Sequence, residues 1–405
     1  MLKKFERAST IMAIITNNLD LAAYIQQLEE EMVTAPWLAI DTEFMRDSTY
    51  YPQLCLIQLA SKQSEAVVDP LSPNLDLTPL LDFLYQPHIT KIFHAARQDL
   101  EIFYMLQASG KDMSQGHIPP NVFDTQLAAM ACGLPENSSF DTLVQKFCGH
   151  GVNKSSRFTD WAKRPLSEAQ LEYALNDVLF LRPVYIQLMQ QLQENSRLPQ
   201  VMHEIETNLY QVDYHIKPEN AWKKLKPKNN KPEFIGVLQA VAAWRETEAQ
   251  QLNIPRQRVL KDDLLQEIAL QQPDNSGAVK TMRGLQHLSS PQAEAIATMV
   301  REGLQNKGNV VHEKHKSLTP NQATLAEMLR LLLKIIADEH KIVPRMIASN
   351  DEINQLACGH KPERLMEGWH YDIFTRHAED FLSGDLSIGI ANNKPSLSKK
   401  LALCP

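Results

Sequence analysis

The sequence predicts an α/β domain, a sheet flanked by helices, followed by two small all-α helical bundles. Three observations predict it. Up to residue 212, short apolar runs of strand length alternate with segments of helical period, the pattern of a helix-covered sheet whose sites lie at strand ends. The stretch from Lys217 to Lys231 is basic and interrupted by proline, and beyond it only helical period remains. That helical half divides into two units of one layout: a long helix, a turn marked by Ile254-Pro255 or Val343-Pro344, a short Leu- or Ile-centred helix, and a final helix. We read it as a duplicated module.

A chain of 405 residues suits two or three domains. The expected division is an N-terminal extension over 1–11, the α/β domain over 12–212, a basic linker over 213–231, bundles over 232–308 and 317–386, and a disordered tail over 387–405. A net charge of -7 excludes a surface that clings to nucleic acid everywhere, though not one local basic path. Cys55, Cys132, Cys148, Cys358 and Cys404 are odd in number and lack C-x-x-C pairing. That speaks against a disulfide framework or zinc ribbon and for a reducing cytoplasm. The apolar run Ile11 to Ile15 is too short for a signal-peptide core, and no segment approaches the roughly 18 apolar residues of a membrane helix. No membrane partner is expected. Met12 is a second candidate start, because the chain enters its fold after it.

Leu21, Tyr24, Ile25 and Leu28 recur at helical spacing before the first strand. The apolar run from Trp37 that ends in Asp41 and Glu43, and a second run from Leu54 to Leu59, read as adjacent buried strands. Side chains two apart on a strand share a face, so Asp41 and Glu43 point the same way. Two like charges so placed are usually neutralised by a divalent cation; a solvated strand end is the alternative. EAVVDP reads as a third strand, and LTPLLDFLYQP as a helix stopped by Pro87. Lys91 to Phe93 are strand-like, and a helix from His94 or Ala95 holds Asp99 within its first two turns.

Ser109 to Asn121 is a polar loop, after which VFDTQLAAMACGL starts a helix. Asp124 is placed to cap that helix, a role preferred here over metal ligation. ENSSFDTLVQKFCG is a short helix; a basic loop follows, then a long helix opened by Ser167 with Glu168 and Gln170. On it Tyr173 and Asp177, four apart, share a face, as a core ring and a surface acid or as a functional pair. Between Lys217 and Lys231 six lysines face only Glu219, which fits either a solvated spacer or a strap that tracks phosphates. In the second bundle acids outnumber bases, so charge alone does not make it a nucleic-acid clamp.

DTEF at Asp41 to Phe44, FHAARQDLEIF around Asp99, and EYALNDVLFL around Tyr173 and Asp177 together resemble the DEDD exonuclease superfamily in its tyrosine branch. Glu172 stands where the histidine branch carries His. TEFMRDSTYYPQLCLIQLA and SSRFTDWAKRPLSEAQLEYALNDVLFL resemble the ribonuclease D family. The bundles resemble its paired HRDC (helicase and RNase D C-terminal) domains, through WRETEAQQLNIPRQRVLKDDLL in the first and IASNDEINQLACG with MEGW in the second. Nearly the whole chain is covered. Three departures stand out: a longer loop at Ser109 to Asn121, His370 after Trp369 where the family pattern has Arg, and an extension before Met12 with no counterpart.

The resemblance implies a ribonuclease H-like mixed sheet and 3′-to-5′ hydrolysis of RNA that releases nucleoside 5′-monophosphates. Its implied substrates are structured RNAs, chiefly the 3′ ends of tRNA precursors, and its implied cofactors are two divalent ions, Mg²⁺ or Mn²⁺. By the same likeness Asp41 bridges both ions, Glu43 and Asp177 complete the first site, Asp99 holds the second, and Tyr173 orients the attacking water. Thr42 and Phe44 would face the terminal nucleotide, His94 and Gln98 line its pocket, and Arg157, Lys163 and Arg164 meet phosphates. A cytoplasmic monomer is expected. A DNA-directed exonuclease and a non-catalytic RNA-binding scaffold are the alternatives. The absence of polymerase or helicase motifs speaks against the first, and the presence of all four acids and Tyr173 against the second.

Overall fold

The computed structural model describes residues 14–108, 115–151, 156–306 and 318–399. The extension over 1–11, residues 109–114 of the polar loop and the last six residues of the expected tail lie outside the described residues. Strand β1 (Ile14–Ile15) leads into α1 (Asn18–Met32), which the Asn17 side chain caps at the Asp20 N–H. Leu21, Tyr24, Leu28 and Met32 form its buried stripe. Next come β2 (Trp37–Met45), β3 (Gln53–Ala60), β4 (Glu65–Val68), α2 (Thr78–Leu84), β5 (Thr90–Phe93), α3 (Arg97–Ala108) and β6 (Val122–Asp124). Helices α4 (Thr125–Ala131), α5 (Phe140–Cys148), α6 (Glu168–Glu194) and α7 (Leu198–Ile205) complete the domain.

The six strands form one sheet in the order β1-β4-β3-β2-β5-β6. β2, β3 and β4 run antiparallel to their neighbours in that trio, whereas β1–β4, β2–β5 and β5–β6 are parallel, so the sheet is mixed. β5 pairs with β2 only from Trp37 to Ala39. Asp41 and Glu43 therefore lie past the end of β5, flanked on the sheet by β3 alone, in the crevice that such a strand end opens. The 27-residue α6 is opened by a Ser167–Gln170 capping box and packs across β2, β3 and β4.

Val122 to Asp124, expected as the start of a helix, are instead strand β6. Parallel pairing with β5, Lys91 opposite Val122 and Phe93 opposite Asp124, fixes them, and a local helical pattern cannot report a partner from so far away. Asp124 does cap α4, accepting from the Gln126 N–H at 2.7 Å.

The linker is neither bare nor extended: Pro218–Lys224 is a 3₁₀ helix, with Ala221 and Leu225 buried and Trp222 against the first bundle. That bundle comprises α8 (Pro232–Leu252), α9 (Arg256–Val259), α10 (Asp262–Gln271), α11 (Ser276–Thr281) and α12 (Ser290–Gln305) around a core of its own, including Phe234, Leu238, Leu265, Ile268 and Ile296. Gly303 of α12 lets α8 approach closely, since a Cβ there would sit 2.6 Å from the Gly236 carbonyl oxygen.

The second unit comprises α13 (Pro320–His340), α14 (Pro344–Ile347), α15 (Asn350–Ala357) and α16 (Gly368–His370), which runs through a π turn, Tyr371–Thr375, into α17 (Arg376–Ser383). Like α8, α13 has 21 residues and ends on a left-handed residue, Lys341 against Asn253, before a proline-led single turn. Its packing differs. Leu329, Leu332, Ile336, Ile347 and Phe374 belong to the same continuous core as the sheet.

The expected disorder of the tail is corrected: β7 (Leu386–Ala391) and β8 (Lys394–Lys399) form an antiparallel hairpin. Asn392 and Asn393 both have positive φ, 52° and 61°, the requirement of a type I′ turn. Leu386 is buried, and Ile388 and Leu397 pack on the core. The run of Ser, Asn, Lys and Pro had hidden that alternation.

Candidate active site

Three elements bring the acids together. β2 presents Asp41 and Glu43 on one face, the first turn of α3 presents Asp99, and α6 presents Asp177 with Tyr173 one turn before it. Carboxylate oxygens of Asp41, Glu43 and Asp177 lie within 4.8 Å of one another. Thr42, between the two acids on β2, donates its hydroxyl to Asp99 Oδ1 at 2.5 Å and so ties α3 to β2. All four acids line one cleft of about 950 Å³.

Such crowding resists ionisation. Burial, followed by the charges of Asp99, Asp177 and Glu43, holds the Asp41 carboxyl well above the ordinary range. Burial pushes Glu43 up to about 9, helped by Asp177 and Asp99 and opposed by Arg157. Asp99 and Asp177 are raised to about 7, again chiefly by burial. The Thr42 hydroxyl opposes the shift at Asp99, as the Tyr173 hydroxyl and Arg157 do at Asp177. Tyr173 itself is shifted further up, by burial and then by the acids around it, so its hydroxyl keeps its proton.

Four hard oxygen donors that repel one another suit a divalent cation of the magnesium class. A second trio, His203, Glu204 and His370, has equally close donor atoms, but Arg364 Nη1 sits 2.7 Å from His370 Nε2 and already supplies the positive charge.

The structure places Thr42, Phe44, His94, Gln98 and Arg157 on the cleft wall with the acids. The Thr125 hydroxyl donates to the Phe93 carbonyl, so it receives the Nδ1 proton of His94; burial keeps that imidazole neutral. Arg164 requires a correction. Its guanidinium is held by Asp69 at 2.6 and 2.7 Å and by the carbonyls of Cys55, Trp161 and Lys163, outside the cleft wall. It braces the loop before α6, with its donors already engaged.

Two positions escaped sequence reading. Phe158, beside Arg157, is 90% exposed on the cleft, with the guanidinium 5.3 Å from its ring; an aromatic in a polar, basic loop was the available signal. Gln58 is paired directly with Asp41 across β2 and β3, fully buried, and its amide has no hydrogen-bond partner among the described residues. Only the register reveals it.

A family model described as 3′-5′ exonuclease matches residues 12–193, and one described as HRDC domain matches residues 235–288. The chain is 40% identical to Ribonuclease D of Bartonella henselae over 390 residues, covering 95% of this chain and 93% of that one. It is 36% identical to Ribonuclease D of Granulibacter bethesdensis, covering 93% and 94%. Among solved structures it resembles Escherichia coli RNase D, described as an exoribonuclease involved in structured RNA processing. That match has a TM-score of 0.75 and 28% identity, over 93% of this chain and 99% of the other.

Proposed function

Because this chain belongs to the ribonuclease D family of 3′-to-5′ exoribonucleases, we propose that Asp41, Glu43, Asp99, Asp177 and Tyr173 form its catalytic centre, working with two divalent ions, Mg²⁺ or Mn²⁺. The single observation that carries the assignment is the convergence of three carboxylates within 4.8 Å beside a fourth in one cleft. Asp41, Glu43 and Asp177 would hold one ion, and Asp99, with Asp41, the other. Such ions, when bound, lower the pKa of water and stabilise the leaving oxygen of a phosphodiester.

The chain's own groups do the rest. Tyr173, protonated and hydrogen-bonded to Asp177, orients the water and does not abstract its proton. Phe44 lies against the terminal base, and neutral His94 and exposed Gln98 border the same end of the cleft. Arg157, whose charge already offsets Glu43 and Asp177, meets the substrate phosphate. Lys163 has only its place beside Arg164 to support such a role.

The substrates are structured RNAs trimmed from the 3′ end, tRNA precursors foremost, with nucleoside 5′-monophosphates released. The domain division 12–212, 213–231, 232–308 and 317–386 is kept, with the hairpin added to the last unit. The second unit is read as a second HRDC domain because its leading helix, left-handed cap and proline turn repeat those of the first. No helix among the described residues is long and apolar enough to cross a membrane; a cytoplasmic monomer is the reading adopted.

Asp41→Asn and Asp177→Asn are expected to abolish hydrolysis while RNA binding in Ca²⁺ persists. Undiminished turnover in either variant refutes the ligand assignment, and matched single-stranded DNA degraded as fast as RNA refutes the substrate class.

A further inference from the structure

A second cavity, of about 420 Å³, opens where the sheet domain meets the first bundle. The sheet domain contributes Arg46, Tyr50, Arg97 and Glu101, the segment leading to the bundle contributes Asp213, Tyr214 and Lys224, and α9 contributes Arg256. Its charges are unequal. Arg46 is held bidentate by Glu101 at 2.8 and 2.9 Å, Arg256 pairs with Glu246 at 3.5 Å, and Asp213 caps the His215 N–H. Arg97 and Lys224, both exposed, have no ion-pair partner among the described residues. Partial burial and then the neighbouring Arg256 hold the Lys224 pKa down, partly offset by Glu246 and Glu101, with Arg46 adding a little to the lowering. Tyr50 and Tyr214 complete the wall but are already packed: Tyr50 is buried against Tyr51 with its hydroxyl on Glu246, and Tyr214 stacks on Tyr104. Exposed cations without counter-ions are the usual contacts of nucleic-acid backbone phosphates.

Position relates this cavity to the acids. Arg46 borders both cavities and lies three residues beyond Glu43 on the chain, about 10 Å at strand rise. Arg97 precedes Asp99 by two residues in the first turn of α3.

We propose that this cavity binds backbone phosphates of the same RNA strand, a few nucleotides upstream of the end in the acidic cleft, with Arg97 and Lys224 as the phosphate contacts. The proposal rests on the exoribonuclease reading. It makes the first bundle one wall of the substrate path, so that affinity grows with strand length.

The test uses the full chain and two RNAs, a dinucleotide that reaches only the acids and a single strand of about 12 nucleotides. Lys224→Ala and Arg97→Gln, singly and together, are expected to raise KM for the longer strand by about tenfold per lost contact. The slope of log affinity against log salt, measured in Ca²⁺, should flatten by about 0.7 per contact. Dinucleotide turnover and Tm should stay at the wild-type level, which also controls for folding. Equal loss on both lengths, or none on the longer strand, overturns the site while wild-type activity stands. Inorganic phosphate that inhibits wild type equally on both lengths, and not the double variant, assigns the cavity to a free anion and overturns it too. A wild type that degrades neither RNA with metal sinks the activity reading, and this proposal with it.

Discussion

At the scale of single residues, the acids of the cleft are protonated longer in the fold than in the unfolded chain. Their unfolded values lie near 4, while Asp99 and Asp177 are raised to about 7 and Glu43 to about 9. Stability from these groups is therefore full below about pH 4 and is lost as pH rises through those folded values. A cation must displace the same protons, so its binding strengthens over that range. In chelator, Tm should fall from about pH 5 to about pH 9, and the rise in Tm on adding Mg²⁺ or Mn²⁺ should grow with pH. A Tm indifferent to metal at every pH refutes the ligand set. Asp41 and Glu43 were legible as a pair because strand period alone puts them on one face. Arg164 was misread because its partner, Asp69, is 95 residues away and no local pattern marks an arginine as already taken.

At the scale of elements, the second bundle is fastened to α7 by a compact charge network. Arg364 meets Glu352 with two bonds of 2.8 Å, Glu204 at 3.5 Å and His370 Nε2 at 2.7 Å. His370, where the family pattern has Arg, is wholly buried and 2.9 Å from Glu204. Its position turns it to the sheet domain and not toward solvent RNA. Arg364→Ala leaves Glu204 and Glu352 without their main counter-charge, a loss of about 3 kcal/mol by the measure of other broken buried pairs. Thermal melting and limited proteolysis at the α7 contact should report it, and Arg364→Lys should recover only part, because an ammonium cannot make the two-pronged contact. A variant as stable as wild type would show that the network carries no net stabilisation. The start of α6 was legible from Ser167 with its capping partner, whereas the matching cap at Ser349 is seen only in the structure. β6 and the β7–β8 hairpin were not legible, since each strand is defined by a neighbour.

At the scale of the molecule, the two helical units are alike in layout and unlike in dependence. The first closes its own core, whereas the second completes the core of the sheet domain. Residues 213–306 expressed alone should unfold cooperatively, while 318–399 alone should lack a cooperative transition, by circular dichroism and calorimetry. The opposite outcome would show that the shared core is a contact and not a requirement. The likeness of the DTEF, FHAARQDLEIF and EYALNDVLFL motifs to a known family singled out the four acids with Tyr173, while the sequence by itself determined the α/β-then-helical order, the pairing of Asp41 with Glu43 on one face, and the repeated helical layout. These depend on period and spacing within a few residues, which side-chain chemistry writes directly into the chain. Only the tertiary structure decided that Gln58 sits across from Asp41, that Arg164 braces a loop, and that a basic cavity opens against the first bundle. Each of those depends on which distant surfaces meet, and burial, charge and register between such surfaces exist only once the chain has folded.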